Sequence, residues 1–201
     1  MQFPNSRILI FAKAPIPGLA KTRLIPALGA EGAAQLYANM LQTKVQEIGA
    51  SSLCPLQCWC TPDCTHEIFQ QFATQPNLSL HLQQGDDLGE RMAFAAEQAL
   101  QEAEYVVLIG GDAPSLTVAH LQQAISWLES GADAVLGPAE DGGYVLLALH
   151  YMQPELFTEM PWGADQVLSI TRQRLKQFER HWRELPMLWD VDRPEDLARL
   201  V

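Results

Sequence analysis

The chain has 201 residues, 48% hydrophobic and 18% charged, the mixture of a folded globular chain able to bury a real core rather than a disordered one. Its formal net charge is −11, from 24 acidic residues against 13 Lys plus Arg, which argues against a nucleic-acid polymer as partner. No stretch approaches the roughly 20 consecutive apolar residues of a membrane span. The start, Met1-Gln2-Phe3-Pro4-Asn5-Ser6-Arg7, lacks a basic region leading an apolar one, so secretion is not expected and a cytoplasmic chain is.

Arg7 to Ala12 is a short apolar run that reads as the first strand. It opens into Lys13-Ala-Pro-Ile-Pro-Gly18-Leu-Ala-Lys21-Thr22-Arg23-Leu24, a Pro/Gly loop carrying three of the 13 cations. A long amphipathic helix follows, with Ala33, Leu36, Tyr37, Met40, Leu41, Val45 and Ile48 at helical spacing. Leu56 to Cys60 reads as a strand whose Cys58 and Cys60 face one side as small core residues. A helix is expected over His66 to Phe72, a strand over Leu78 to Leu82, and a helix from the Gln84–Met92 segment to about Ala103.

Tyr105-Val-Val-Leu-Ile109-Gly110-Gly111-Asp112 is the stretch around which the chain is organised. Its unbroken apolar run has the length and β-branching of a strand buried on both faces, and it ends in two glycines and a single carboxylate. Ser115 or Thr117 can cap the next helix, which carries Leu121, Ala124, Ile125 and Leu128. Asp133 to Gly137 and Tyr144 to Leu149 are two more strands around Pro138-Ala-Glu-Asp141-Gly142-Gly143, and a helix from about Asp165 to Phe178 precedes a closing segment rich in acid, Asp190-Val-Asp192-Arg-Pro194. Strand and helix alternate almost throughout. The expectation is an α/β fold of one domain spanning residues 1–201, with a mostly parallel twisted sheet flanked by helices.

Open α/β sheets bind ligands at the carboxyl ends of their strands. Lys13, Lys21 and Arg23 stand there after the first strand, a concentration of positive charge suited to an anion that the rest of the acidic chain would repel. The loop is no P-loop, because Ala20 stands where a glycine must precede Lys21, and no G-x-G-x-x-G is present to support a dinucleotide oxidoreductase. Asp112, Asp190 and Asp192 are hard oxygen donors, and a divalent cation that bridges phosphates needs few protein ligands. Asp192 can equally cap the turn that begins at Pro194. Asp141 lies in a Gly-flanked turn where a carboxylate can meet a hydroxyl, and Trp162 can anchor a loop or stack on a ring. Cys54, Cys58, Cys60 and Cys64, with His66 behind them, match no paired C-x2-C zinc spacing and read as reduced thiols.

Five motifs in order carry a resemblance over nearly the whole chain: Lys13-x-P-x-P-G-x-x-Lys21-Thr22-Arg23-Leu24, Gln84-G-x-Asp87-Leu88-Gly89-x-Arg91-Met92, Gly111-Asp112-x-Pro114-x-Leu116, Asp141-G-G-Tyr144 and Asp190-V-Asp192-x-Pro194-E-D-L. The chain resembles the nucleotide-diphospho-sugar transferase superfamily with the glycosyltransferase-A, Rossmann-like fold. In particular it is similar to a small bacterial glycosyltransferase A-like family linked with arsenosugar biosynthesis and radical-SAM gene neighbourhoods, to which 2-phospholactate guanylyltransferase is related. The resemblance implies that Ala12, Lys13, Pro17, Gly18, Lys21, Thr22, Arg23 and Gly111 contact a nucleotide, its phosphates meeting the three cations. It implies a base or ribose pocket at Gln84, Asp87, Leu88, Gly89 and Arg91, and an acceptor side at Asp141, Gly142, Gly143, Tyr144 and Trp162.

The same resemblance puts Asp112 in the place of the metal-binding aspartate, in a G-D-x-P form rather than D-x-D, with Asp192 as a second contact to Mg²⁺ or Mn²⁺. Two reactions then compete. In glycosyl transfer from a nucleotide-diphospho-sugar, the metal on Asp112 neutralises the departing diphosphate and Asp141 orients or deprotonates a small acceptor's hydroxyl. In nucleotidyl transfer a phosphorylated small molecule attacks a nucleoside triphosphate, which three cations in one loop suit well. A nucleotide- or metal-binding module without turnover is the third class. The base, sugar, acceptor and oligomeric state are not legible.

Overall fold

In the computed structural model, which describes residues 1–200, the chain runs β1 (Ser6–Lys13), α1 (Ile25–Ser51, kinked at Gly29), β2 (Leu56–Thr61), α2 (Glu67–Phe72), β3 (Leu78–Leu82), α3 (Leu88–Leu100), β4 (Tyr105–Gly110), α4 (Val118–Glu129), β5 (Ala134–Pro138), β6 (Tyr144–Leu149), α5 (Val167–Gln177) and β7 (Trp182–Glu184). The expected strands and helices are all present. Strand β7, with three residues and no apolar alternation, is the addition.

The seven strands form one sheet in the order β3-β2-β1-β4-β6-β5-β7, so the organising strand β4 lies at its middle. The pairs β1–β2, β2–β3, β1–β4 and β5–β7 are parallel, while β6 is antiparallel to both β4 and β5. The sheet is thus mostly parallel with one reversed strand among the described residues. The reversal has a simple cause: the segment Ala139–Gly143 is far shorter than the dozen or so residues that a parallel crossover needs.

Side chains alternate across the sheet, and because both faces are covered, nearly every strand residue is apolar. Ile8, Ile10, Cys58, Cys60, Val107 and Ile109 pack on one face under α1, α2 and α4. Leu9, Trp59, Leu108, Leu136 and Leu147 pack on the other under α3 and α5. Thr117 precedes α4 and its backbone N–H donates to His120 Nδ1 at 3.2 Å, so Thr117 rather than Ser115 starts that helix. No helix among the described residues is long and apolar enough to cross a membrane. Register fixes the geometry that matters most. Phe11 of β1 pairs with Gly110, so Lys13 and Asp112 emerge side by side at the carboxyl edge.

Candidate functional site

The Lys13–Leu24 loop is built to turn back over that edge. The Lys13 N–H donates to Tyr37 Oη of α1 at 3.1 Å, and the Leu19 and Ala20 amides both donate to the Ile16 carbonyl, closing a turn whose tip exposes Pro17 and Gly18. Lys21 then adopts a left-handed conformation (φ 46°, ψ 48°), uncommon for a residue with a side chain, and starts the 3-10 turn Thr22–Leu24. Its ammonium ends 2.7 Å from Asp112 Oδ2 and 3.7 Å from Asp192 Oδ1, with only 8% of the side chain exposed. Arg23 pairs with Asp192 Oδ2 while remaining 59% exposed. Lys13, Lys21, Thr22, Arg23, Tyr37 and Asp112 share a basic hollow of about 290 Å³ with Asp192 on its wall.

The closing segment reaches Asp112 because three contacts hold it there. The Val191 N–H donates to the Asp112 carbonyl at 3.1 Å. The Ser115 hydroxyl donates to the Trp189 carbonyl and accepts from the Trp189 N–H at 2.8 Å. The loop after β4 is itself steadied by the buried ammonium of Lys44 in α1, which donates to the Leu116 carbonyl. Asp192 does not cap the last turn (Pro194–Leu200): Asp196 Oδ2 accepts from the Asp192 and Arg193 amides at 2.9 and 2.7 Å, which leaves the Asp192 carboxylate to Lys21 and Arg23.

Asp112, Asp190 and Asp192 therefore lie against Lys21 and Arg23, with Lys13 in the same hollow. Burial pulls the Lys21 pKa down, but the charge and hydrogen bond of Asp112, then Asp192 and Asp190, outweigh it and leave it raised. Asp190 is pushed up to about 6, first by burial and then by the charge of Asp112, with Lys21 offsetting only part. Hard carboxylate oxygens gathered this closely suit a divalent cation. Among the described residues no group of three or more His, Cys, Asp or Glu is arranged as a complete metal shell. Asp112 and Asp192 fit instead a sparse site whose other ligands come from phosphate and water. The cysteines are all free, with Cys58 and Cys60 buried 3.8 Å apart and Cys64 half-buried.

On the other side of the β4 end lies an apolar cavity of about 240 Å³. Its polar edge comes from Asp190 and from Asp141, whose Oδ1 accepts from the Gly143 N–H at 2.9 Å in a tight turn. Gly142 makes that turn possible: its φ is +89°, and a Cβ there would lie 2.1 Å from the Asp165 carbonyl oxygen. The Leu168 amide at the start of α5 donates to the Gly142 carbonyl at 2.9 Å and pins the loop. Trp162 meets Tyr144 edge-to-face at 6.4 Å. The indole rests on Gly89, where a Cβ would lie 2.5 Å from Trp162 Nε1, so the glycine is needed for packing.

The expected nucleotide and metal residues Lys13, Lys21, Thr22, Arg23, Asp112 and Asp192 thus come together in one hollow, and Asp141, Gly143, Tyr144, Trp162 and Leu88 line the other. Others lie apart. Gln84 is exposed beside Gln57, Trp59 and His81 in a separate hollow. Asp87 caps α3, accepting from the Glu90 N–H at 2.8 Å, and Arg91 Nε donates to the Gly85 carbonyl at 2.9 Å, so both are engaged within their own segment. Ala12 is buried in the core, and Gly111 packs against Leu41. Tyr37, Phe11 and Met92 also line these hollows. Tyr37 was visible only as a core position of α1, and nothing local marks the other two.

The family DUF2064, described as an uncharacterized protein conserved in bacteria, matches residues 44–164. No curated protein matches the chain. Among solved structures, one from Desulfovibrio desulfuricans, described as a candidate nucleotide-diphospho-sugar transferase, is similar at 33% identity and TM-score 0.89, over 98% of this chain and 87% of that one. A cytidylyltransferase from Leptospira borgpetersenii (15% identity, TM-score 0.65, 98% and 85% covered) shares the fold. So does glucosyl-3-phosphoglycerate synthase from Mycobacterium tuberculosis in complex with Mn²⁺, uridine diphosphate and glucosyl-3-phosphoglycerate (11%, TM-score 0.60, 98% and 75%).

Proposed function

The chain belongs to the DUF2064 family, and from that premise and its two adjoining hollows we propose a transferase that moves a glycosyl group from a nucleotide-diphospho-sugar to a small acceptor. The similar Desulfovibrio structure supports a nucleotide-using transferase. The observation that carries the choice of reaction is the division at the β4 end: Gly110 lines the apolar cavity and Asp112, two residues on, lines the basic hollow. A donor with its diphosphate among Lys13, Lys21 and Arg23 then presents its sugar at the mouth of the cavity.

Lys21 and Arg23 are already ion-paired, so phosphates binding here exchange one set of anionic partners for another at little cost in side-chain order. Asp112 and Asp192 would hold Mg²⁺ or Mn²⁺ against those phosphates, and the cation would supply neutralisation of the departing diphosphate. Asp141 keeps one carboxylate oxygen free of the turn to accept the acceptor's proton. The acceptor oxygen bonds to the anomeric carbon, the bond from that carbon to the diphosphate breaks with its electron pair on the phosphate, and the proton passes to Asp141. Nucleotidyl transfer is the second reading, favoured by the three cations, which suit a triphosphate. Incubation with panels of nucleotide-sugars and nucleoside triphosphates plus Mg²⁺ separates the two: nucleoside diphosphate release supports the first, and pyrophosphate release overturns it.

A further inference from the structure

We infer that the apolar cavity is the acceptor subsite and admits a compact, largely apolar molecule that bears a hydroxyl and no negative charge. The inference rests on the transferase reading above and goes beyond it by excluding a phosphorylated or carboxylated acceptor.

The cavity's walls come from both layers of the fold. Phe11 and Leu108 rise from the central strands, Met92 from α3, Tyr144 from β6, and Trp162 from the loop before α5. Among the described residues, no Lys, Arg or His lines it. Its charged groups are the carboxylates of Asp141 and Asp190, which also line an adjoining groove of mixed charge where Arg23, Arg193 and Arg199 stand among Asp165, Asp192 and Asp196. The cations Lys13, Lys21 and Arg23 belong to the basic hollow, which shares no lining residue with the cavity. An anion can bind where cations and backbone amides face it, and it is repelled where carboxylates edge a poorly hydrated space. A phosphate delivered into this cavity would meet Asp141 and Asp190 with no cation in the cavity's own lining to balance it.

Size and chemistry of the walls define what can enter. A volume of about 240 Å³ lies just below the usual range of drug-sized pockets, so the ligand is small. Aromatic and thioether walls reward a flat or compact apolar body, and carboxylates at the edge reward a hydroxyl or a cationic group beside it. The Nε1–H of Trp162 and the hydroxyl of Tyr144 are buried without a hydrogen-bond partner among the described residues. Both atoms are enclosed by protein, the indole nitrogen against Gly89, so the groups that meet a bound hydroxyl are the edge carboxylates.

The test is a binding experiment on the full chain, read at the cavity itself. Benzyl alcohol, benzylamine and benzyl phosphate are titrated separately into ¹⁵N-labelled protein with the basic hollow saturated by a nucleoside diphosphate and Mg²⁺. The chain has five tryptophans, and Trp162→Phe identifies the indole signal of Trp162. Benzyl alcohol and benzylamine are expected to move that signal, with benzyl phosphate weaker by about tenfold or more. The isosteric double variant Asp141→Asn, Asp190→Asn should narrow the gap to within about threefold. Equal affinity for alcohol and phosphate in the native protein overturns the inference, and so does a Trp162 signal that none of the probes moves. Failure of the transferase reading is separate: it is recorded as no nucleoside diphosphate from any nucleotide-sugar, whatever the probes do.

Discussion

Lys21 and Arg23 stand two residues apart in one loop, yet their burial separates what substitution of each will do. Arg23 is 59% exposed, so Arg23→Ala should change stability by no more than about 0.5 kcal/mol. Lys21 is 8% exposed and its loss leaves Asp112, Asp190 and Asp192 without their shared cation, so Lys21→Ala should cost about 1–3 kcal/mol. Urea unfolding of both variants checks this, and calorimetry should find nucleotide affinity reduced in both. From sequence the two look alike, as cations of a surface loop. Their difference comes from the left-handed backbone at Lys21 and from Asp192, 171 positions away, and neither has a local signature. Asp112 itself is legible, because a carboxylate directly after a buried strand and two glycines can only emerge at the sheet's carboxyl edge.

Elements position these residues through contacts that join distant parts of the chain. Ser115, in the loop after β4, clasps Trp189 through two hydrogen bonds and so holds Asp190 and Asp192 beside Asp112. Ser115→Ala should lower stability by about 1–2 kcal/mol and weaken nucleotide binding though the side chain lines neither hollow; an unchanged affinity would show that the segment is held without the clasp. Arg172 of α5 and Glu184 of β7 form a bidentate pair at 2.8 and 2.6 Å. The Arg172 hydrogen bonds hold the Glu184 carboxyl below its ordinary 4.5, against the opposing effect of burial. A depressed carboxyl contributes stability that is present above its unfolded pKa and is lost as pH falls through the folded one. Urea midpoints should therefore fall more steeply below pH 4.5 in the native protein than in Glu184→Gln. At this scale the apolar runs and helical periodicities make most of the sheet legible. The reversal of β6 was also there to read in the length of the Ala139–Gly143 turn, whereas β7 is too short and too polar to carry a period.

Across the whole molecule the charge is lopsided, at −11 overall with the cations of the basic hollow gathered against Asp112 and Asp192. A nucleotide must approach an acidic protein, and in its hollow the ammonium of Lys21 is already held by carboxylates. A divalent cation held by Asp112 and Asp192, as proposed, would resolve both difficulties, because these carboxylates would turn to the cation and leave Lys21 to the phosphates. Cation and nucleotide binding would then be linked, each tightening the other by the same factor. The most direct measurement is a calorimetric titration of nucleotide into native protein and Asp112→Asn, each with Mg²⁺, with Mn²⁺ and with chelator. Asparagine keeps the shape and removes the charge. The native protein should gain at least about tenfold in affinity from either cation and the variant much less. Equal gains in both proteins would contradict a cation held by Asp112 and leave that carboxylate as the partner of Lys21 alone.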